Sequence, residues 1–212
     1  QRQLVSRCRE DGSSELRLWD GRRLIEASPD FVMTQQSNSL ETQAVTTGAK
    51  RLAVLLVGFE GDLKPFTKTE VETTVFGHNF DSVAQRLGIL SHGKLILTGQ
   101  VFDWTMVPSP KAKDCNEYMN TITNQVITQT NLNGFDNVMF VFGSGEGCGF
   151  GGLANIDGRL SWIFGPSPRV MAHELGHNLG LLHASEMECE GSTPIVGSCT
   201  SYEYGDTPQL MG

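Results

Sequence analysis

Three histidines and one glutamate carry the clearest chemical signal in this sequence. Residues 173–183 read HELGHNLGLLH, which fits the pattern H-E-x-x-H-x-x-G-x-x-H. His173 and His177 are four residues apart, so on a helix they project from one face, one turn apart. Two imidazoles so placed can reach one divalent ion at about 2.0–2.1 Å each. Tetrahedral geometry then needs a third ligand from another direction. Gly180 supplies the bend, because a glycine just past a helix takes the left-handed conformation at little cost, and the chain returns with His183. Glu174, beside His173, is placed to take a proton from a water at the metal rather than to bind the metal. Three neutral imidazoles leave the ion its full charge, which lowers the pKa of such a water towards about 7. The competing explanation is a set of ordinary surface histidines, but three of the five in the chain fall inside these eleven residues. Imidazole also suits Cu, Ni and Fe, yet three histidines with one open position favour a single Zn2+ ion.

The elements that must hold these residues are legible around them. Pro168 fits the first turn of a helix and Ser167 can cap it, so a helix is expected from Pro168 to about Leu179, with Met171, Leu175 and Leu179 on its packing face. Arg51–Phe59 and Asn137–Phe142 are continuous apolar runs of strand length and belong in the middle of a sheet. Lys94–Trp104 alternates and Leu160–Phe164 is short and apolar, so both read as strands. Helical pieces are expected at Thr69–Phe76 and Asp81–Leu87. Asn116–Thr130 carries Met119, Ile122, Val126 and Ile127 at helical spacing. Residues 1–47 look separate from the rest. Glu15–Ala27 reads as two strands around Asp20-Gly21, a pair that suits a tight hairpin. Thr34–Gly48 is polar and reads as a linker.

Composition narrows the class. The 212 residues are 39% hydrophobic and 19% charged, ordinary for a globular protein, and suffice for one domain with a small appendage. The longest apolar stretch is far too short to span a membrane. With a net charge of −8 and no Lys/Arg run, a nucleic-acid partner is not expected. Residues 1–10 lack the apolar core of a signal peptide, which suggests a mature form or a piece of one. Of five cysteines none forms a C-x-x-C pair, which argues against a cysteine zinc site. Cys115–Cys148 and Cys189–Cys199 are the expected disulfides, and they imply a secreted, extracellular setting; buried free thiols are the alternative, and Cys8 is left over. A formal G-x-G-x-x-G at Gly147, Gly149 and Gly152 does not speak for a nucleotide, because no helix pattern follows and no Walker lysine occurs. His78 and His92 fall near turns and are read as solvated.

At the histidine segment the chain resembles the metzincin zinc metallopeptidases, and within them most of all the gametolysin (M11) family. HELGHNLGLLHA (His173–Ala184) and YGDTPQLMG (Tyr204–Gly212) carry the likeness, with SHGKLILTGQV (Ser91–Val101) and CGFGGLANI (Cys148–Ile156) in support. It covers roughly residues 50–212. The resemblance implies that Met211 is the methionine of the Met-turn beneath the metal. It also implies that Gly152, Leu153, Ala154 and Asn155 form an edge strand above the cleft, which pairs with an extended substrate by β-augmentation; a plain solvent-facing edge is the alternative. Cys8, in VSRCRED, is similar to the cysteine of metzincin zymogens whose thiolate fills the fourth metal position, or else is a free cysteine. Tyr202 and Tyr204 are read as packing residues, with assistance to the oxyanion as the alternative. The family carries further chain after the Met-turn, so residues beyond Gly212 are implied.

The fold expected is α/β (α+β): a mixed, twisted sheet with the active-site helix and the helix near 116–130 packed on it. Residues 1–47 form an N-terminal hairpin segment, a possible pro-segment remnant, and 48–212 the catalytic domain. The function expected is that of a secreted zinc endopeptidase acting on peptide bonds of extracellular or matrix proteins, with Glu174 as general base. The alternative is a catalytically silent zinc module for adhesion or protein binding, but such a site needs no base and takes a fourth protein ligand. Structural calcium and oligomeric state stay open.

Overall fold

The computed structural model describes residues 3–8, 14–19, 24–26, 46–108, 115–143, 148–189, 199–206 and 209–212; for residues 3–8, 14–19, 24–26 and 116–118 it describes the backbone. Three short strands come first: β1 (Gln3–Cys8), β2 (Ser14–Trp19) and β3 (Leu24–Glu26). The body follows as β4 (Gly48–Phe59), α1 (Lys68–Phe76), α2 (Val83–Leu90), β5 (Leu95–Val107), α3 (Cys115–Ile127), β6 (Asn137–Phe142), β7 (Gly152–Asn155), β8 (Leu160–Phe164) and α4 (Pro168–Asn178). A separate two-stranded ribbon, β9 (Ser185–Cys189) with β10 (Cys199–Glu203), lies between α4 and the last residues.

The body is mixed α/β. Its five strands run in the order β7-β8-β6-β4-β5, and β1 to β3 extend the sheet beyond β7. Pairings β4/β5, β4/β6 and β6/β8 are parallel, whereas β7 runs antiparallel to β8. The central strand β4 shows why the sequence builds two packed faces. Successive side chains of a strand point to opposite sides. Leu52, Val54 and Leu56 pack with Val71 and Val75 of α1, Val83 and Leu87 of α2, and Met171, Ala172 and Leu175 of α4. Ala53, Leu55, Val57 and Phe59 pack on the other side with Met119, Ile122 and Val126 of α3. The helix of the histidines and the helix near 116–130 therefore sit on opposite faces of the sheet.

Local signals explain the element ends. Thr67 caps α1 through a reciprocal pair, its hydroxyl accepting from the Glu70 N–H at 3.2 Å while the Glu70 carboxylate accepts from the Thr67 N–H at 2.6 Å. Ser82 caps α2, its hydroxyl accepting from the Gln85 N–H at 3.3 Å. Both disulfides form: Cys115–Cys148 ties the start of α3 to the approach to β7, and Cys189–Cys199 closes the β9–β10 ribbon. They fit an oxidising environment. Among the described residues no helix is long and apolar enough to cross a membrane.

Three expectations need correction. Trp19 is the partner of Leu24, so four residues lie between β2 and β3 rather than Asp20-Gly21 alone, and these four are outside the described residues. The strand β1 was not foreseen. The N-terminal segment also does not stand apart, because β1 pairs antiparallel with β7 in the register Val5↔Asn155, Ser6↔Ala154 and Arg7↔Leu153. Most of the Thr34–Gly48 linker lies outside the described residues, and Gly48 already opens β4.

Candidate metal centre

The helix α4 runs from Pro168 at its first turn to Asn178, and eight consecutive residues from Met171 to Asn178 are buried. Ser167 occupies the cap position but makes no side-chain cap hydrogen bond, so Pro168 marks this start alone. The other end closes as the glycine predicts. Gly180 has φ +87°, its N–H donates to His177 O at 2.9 Å, and Leu181 N–H donates to Gly176 O at 3.0 Å. This is the paired closure of a left-handed C-terminal cap. It turns the chain so that residues 181–184 pass back over the helix. The far side of α4 is pinned to the β7–β8 turn, where the Asn178 side-chain amide donates to Asn155 O and Leu160 O, both at 2.9 Å. The sequence reading did not pick out Asn178.

His173, His177 and His183 converge: one ligand atom from each lies within 4.8 Å of the others. Every ring is fixed through Nδ1. His173 Nδ1 meets Leu210 O at 2.9 Å, His177 Nδ1 meets Leu181 O at 2.8 Å, and His183 Nδ1 meets Glu203 Oε1 at 2.8 Å. A carbonyl or carboxylate only accepts, so each Nδ1 carries the proton and each Nε2 is the unprotonated nitrogen. Histidines that bind metal are characteristically held in this way. Burial is the first cause that lowers all three pKa values. His177 is pushed down to about 3, with His173 and His183 nearby adding to the effect; His183 is also pushed down to about 3, with His173 contributing. For His173 burial again leads, Leu210 O works against it, and Arg169 adds to it. All three are neutral at physiological pH, the form a metal needs.

The donor set fits a divalent ion. His177 Nε2 is fully buried and has no hydrogen-bond partner among the described residues. An unsatisfied buried polar atom costs about 1–3 kcal/mol, and a metal at that nitrogen would remove the cost. Three imidazole nitrogens are a donor set suited to Zn2+. Tyr204, at φ +63°, has its hydroxyl 2.7 Å from His183 Nε2. With Nδ1 protonated, that hydroxyl donates to the same nitrogen a metal would take, so this hydrogen bond and metal binding exclude each other. Tyr202 is half-exposed on β10.

Glu174 is buried beside the cluster, and β7 passes close over it. A Cβ added at Gly152 would stand 2.7 Å from Glu174 Cγ and 2.8 Å from its Oε1. Met211 is buried under α4, where its Sδ would be 2.7 Å from a Cβ on Gly176. Arg169 donates to Gly212 O at 3.1 Å and Ala184 N–H to Met211 O at 2.9 Å, so residues 210–212 are tied to the helix and to the returning chain. Leu153, Ala154 and Asn155 continue β7 and are buried. The edge expected there is covered by β1. Cys8 ends β1 one residue past Arg7, the partner of Leu153, so its backbone lies towards Gly152; its side chain is outside the described residues. A cavity of about 290 Å³ opens beside His177 and His183, lined also by Ile156, Leu182, Ser201 and Glu203. A larger apolar cavity of about 630 Å³ lies behind Met211, against Leu87, Leu90, Leu179 and Leu210.

No protein-family model matches the chain, and no curated protein matches it significantly. The site's chemistry therefore rests on its own geometry. The formal glycine pattern leads from Gly152 into the strand β7, not into a helix. Two residues that matter here were not selected from the sequence for these contacts: Glu203, which grips His183, and Leu210, whose carbonyl grips His173. Neither contact has a local signal, since the partners are 20 and 37 residues apart.

Proposed function

We propose that this chain is a secreted, zinc-dependent endopeptidase of metzincin type, with the ion held by His173, His177 and His183. The observation that carries the reading is the convergence of the three imidazoles, each tied at Nδ1 so that Nε2 is the unprotonated nitrogen, with the Glu174 carboxylate buried alongside; a metal would displace the Tyr204 hydroxyl from His183 Nε2. A bound zinc ion would supply Lewis acidity, making a water acidic near neutral pH and polarising a carbonyl.

The chain's own residues do the rest. Glu174 accepts the proton of the attacking water and returns it to the departing amine nitrogen. Burial of Glu174 against Gly152 holds the carboxylate in one place, so little reorganisation is needed at the moment of reaction. The backbone of β7 offers N–H and C=O groups to an extended peptide, which is the class of substrate the site suits. Because β1 already uses that edge, an extended substrate competes with β1 for β7. The N-terminal strands then act as a removable pro-segment, and Cys8 follows Arg7, the β1 residue that pairs with Leu153.

The test is zinc content together with casein digestion, comparing wild type with Glu174→Ala. The reading expects one zinc per chain in both proteins and cleavage in the wild type alone. Full zinc occupancy without any cleavage that depends on Glu174 would favour a silent binding module instead.

A further inference from the structure

The third ligand is held unlike the other two. His173 and His177 sit on a buried helix and donate to backbone carbonyls. His183 sits on irregular chain and donates to a side chain, Glu203, whose carboxylate is half-exposed while the His183 ring is almost wholly covered. An exposed carboxylate has water as an alternative partner, so something must keep it in place. The element that carries it is the β9–β10 ribbon.

The ribbon has little packing of its own. Its residues are exposed throughout except Cys189, which is intermediate. A lone two-stranded hairpin is marginal in water, and without a buried face its register is weakly specified. A slip by one residue would turn Glu203 to the opposite side. Cys189 and Cys199 are direct partners in the register, and their disulfide sets the pairing that ends at Ser185↔Glu203, two residues from His183. Tyr204 N–H then donates to Ala184 O at 2.9 Å and extends the same alignment to the site.

We infer that Glu203 is a positioning residue for the third metal ligand, and that the Cys189–Cys199 disulfide serves the metal centre by locking the strand register that delivers Glu203 to His183. The carboxylate orients the ring, fixes the proton on Nδ1 and makes Nε2 a stronger donor. This rests on the zinc reading above. The disulfide thereby makes metal affinity sensitive to reduction at a bond outside the site.

The test is the zinc dissociation constant from chelator competition, with the visible absorption of the Co2+-substituted protein as a second readout. Loss of an outer partner of a metal-bound histidine typically weakens affinity about 10–100-fold, and Glu203→Ala is expected in that range. Glu203→Gln keeps an acceptor oxygen without the charge and should fall between it and the wild type. Cys189→Ser/Cys199→Ser should weaken zinc binding as well. Adding it to Glu203→Ala should cause little further loss, because both changes remove the same contact. The Co2+ spectrum should shift in each weakened variant, which a merely structural role for Glu203 would not produce. Tight zinc binding by the wild type and equally tight binding by both Glu203 variants would overturn the inference alone. Full additivity of the cysteine and Glu203 changes would overturn the role given to the disulfide. A wild type that binds no zinc would remove the metal reading and this inference together.

Discussion

Gly152→Ala separates the two halves of the proposed site, the base and the metal. The added Cβ would stand 2.7 Å from Glu174 Cγ, 2.8 Å from Glu174 Oε1 and 2.8 Å from Val170 Cγ1. Carbon contacts are comfortable at about 3.5–4.0 Å, so the two carbon neighbours must retreat by roughly 0.7–1.3 Å. Val170 and Glu174 are four apart on α4 and face β7 together, so the strand cannot lean away from one without meeting the other. The softest response is rotation of the Glu174 carboxylate. Overpacking of this kind costs about 1–3 kcal/mol, which for a chain of this length lowers Tm by about 2–12 °C. The catalytic loss is larger. Misplacing a reacting group by about 1 Å costs roughly 10²-fold, and complete loss of a general base about 10²–10⁴-fold. The metal should stay, because the three rings are anchored by Leu210, Leu181 and Glu203. The assay is kcat on an internally quenched peptide, with zinc content and Tm measured on the same preparation. A folded, zinc-loaded Gly152→Ala protein with wild-type kcat would refute the argument that Glu174 works where β7 presses it. Loss of zinc in parallel with activity would refute the separation of base from metal.

Other outcomes follow from the same contacts. In the metal-free protein His177 and His183 have pKa values of about 3, against the 6.5 of an ordinary imidazole, so between those values the unfolded chain binds more protons than the folded one. Stability is full above about pH 6.5 and falls as the pH drops towards 3; Tm of the apo protein measured across that range should decline steadily, and a flat profile would contradict the burial of neutral rings. Added zinc should raise Tm, by about 2.7 kcal/mol of stabilisation at a hundredfold excess over Kd, and a chelator should reverse the shift in calorimetry. Removal of residues 1–45 should raise peptide cleavage by freeing β7, with a lower KM as the main change; unchanged kinetics would show that β1 does not compete with substrate.

The fold expectations succeeded where a residue's role depends on its near neighbours. Strands β6 and β8 begin and end where their apolar runs do, at Asn137–Phe142 and Leu160–Phe164. β6 is buried along its whole length and β8 at alternate residues, and the flanking glycines and polar residues stop both runs. The helix α4 ends at Asn178, one residue short of the expectation, since Leu179 is already its cap. Most failed expectations concern partners far along the chain; the cap at Ser167 is a local exception. Ser167 has the residue type of a cap without the bond. β1 escaped notice because its six residues carry no pattern that distinguishes a strand from a loop until β7 is beside it.

The sequence alone determined the spacing of His173 and His177, the left-handed turn at Gly180, the return of His183 and the place of Glu174. Each of these follows from helical geometry or from one residue's allowed dihedral angles, quantities set within a few bonds. The tertiary structure decided which nitrogen each imidazole offers, that Glu203 holds the third of them, that Met211 lies against α4 at Gly176, and that β1 covers β7. Those facts depend on strand register and on carbonyls brought in from distant segments. Pairing energy is nearly the same for many registers, and only simultaneous packing of the whole sheet selects among them.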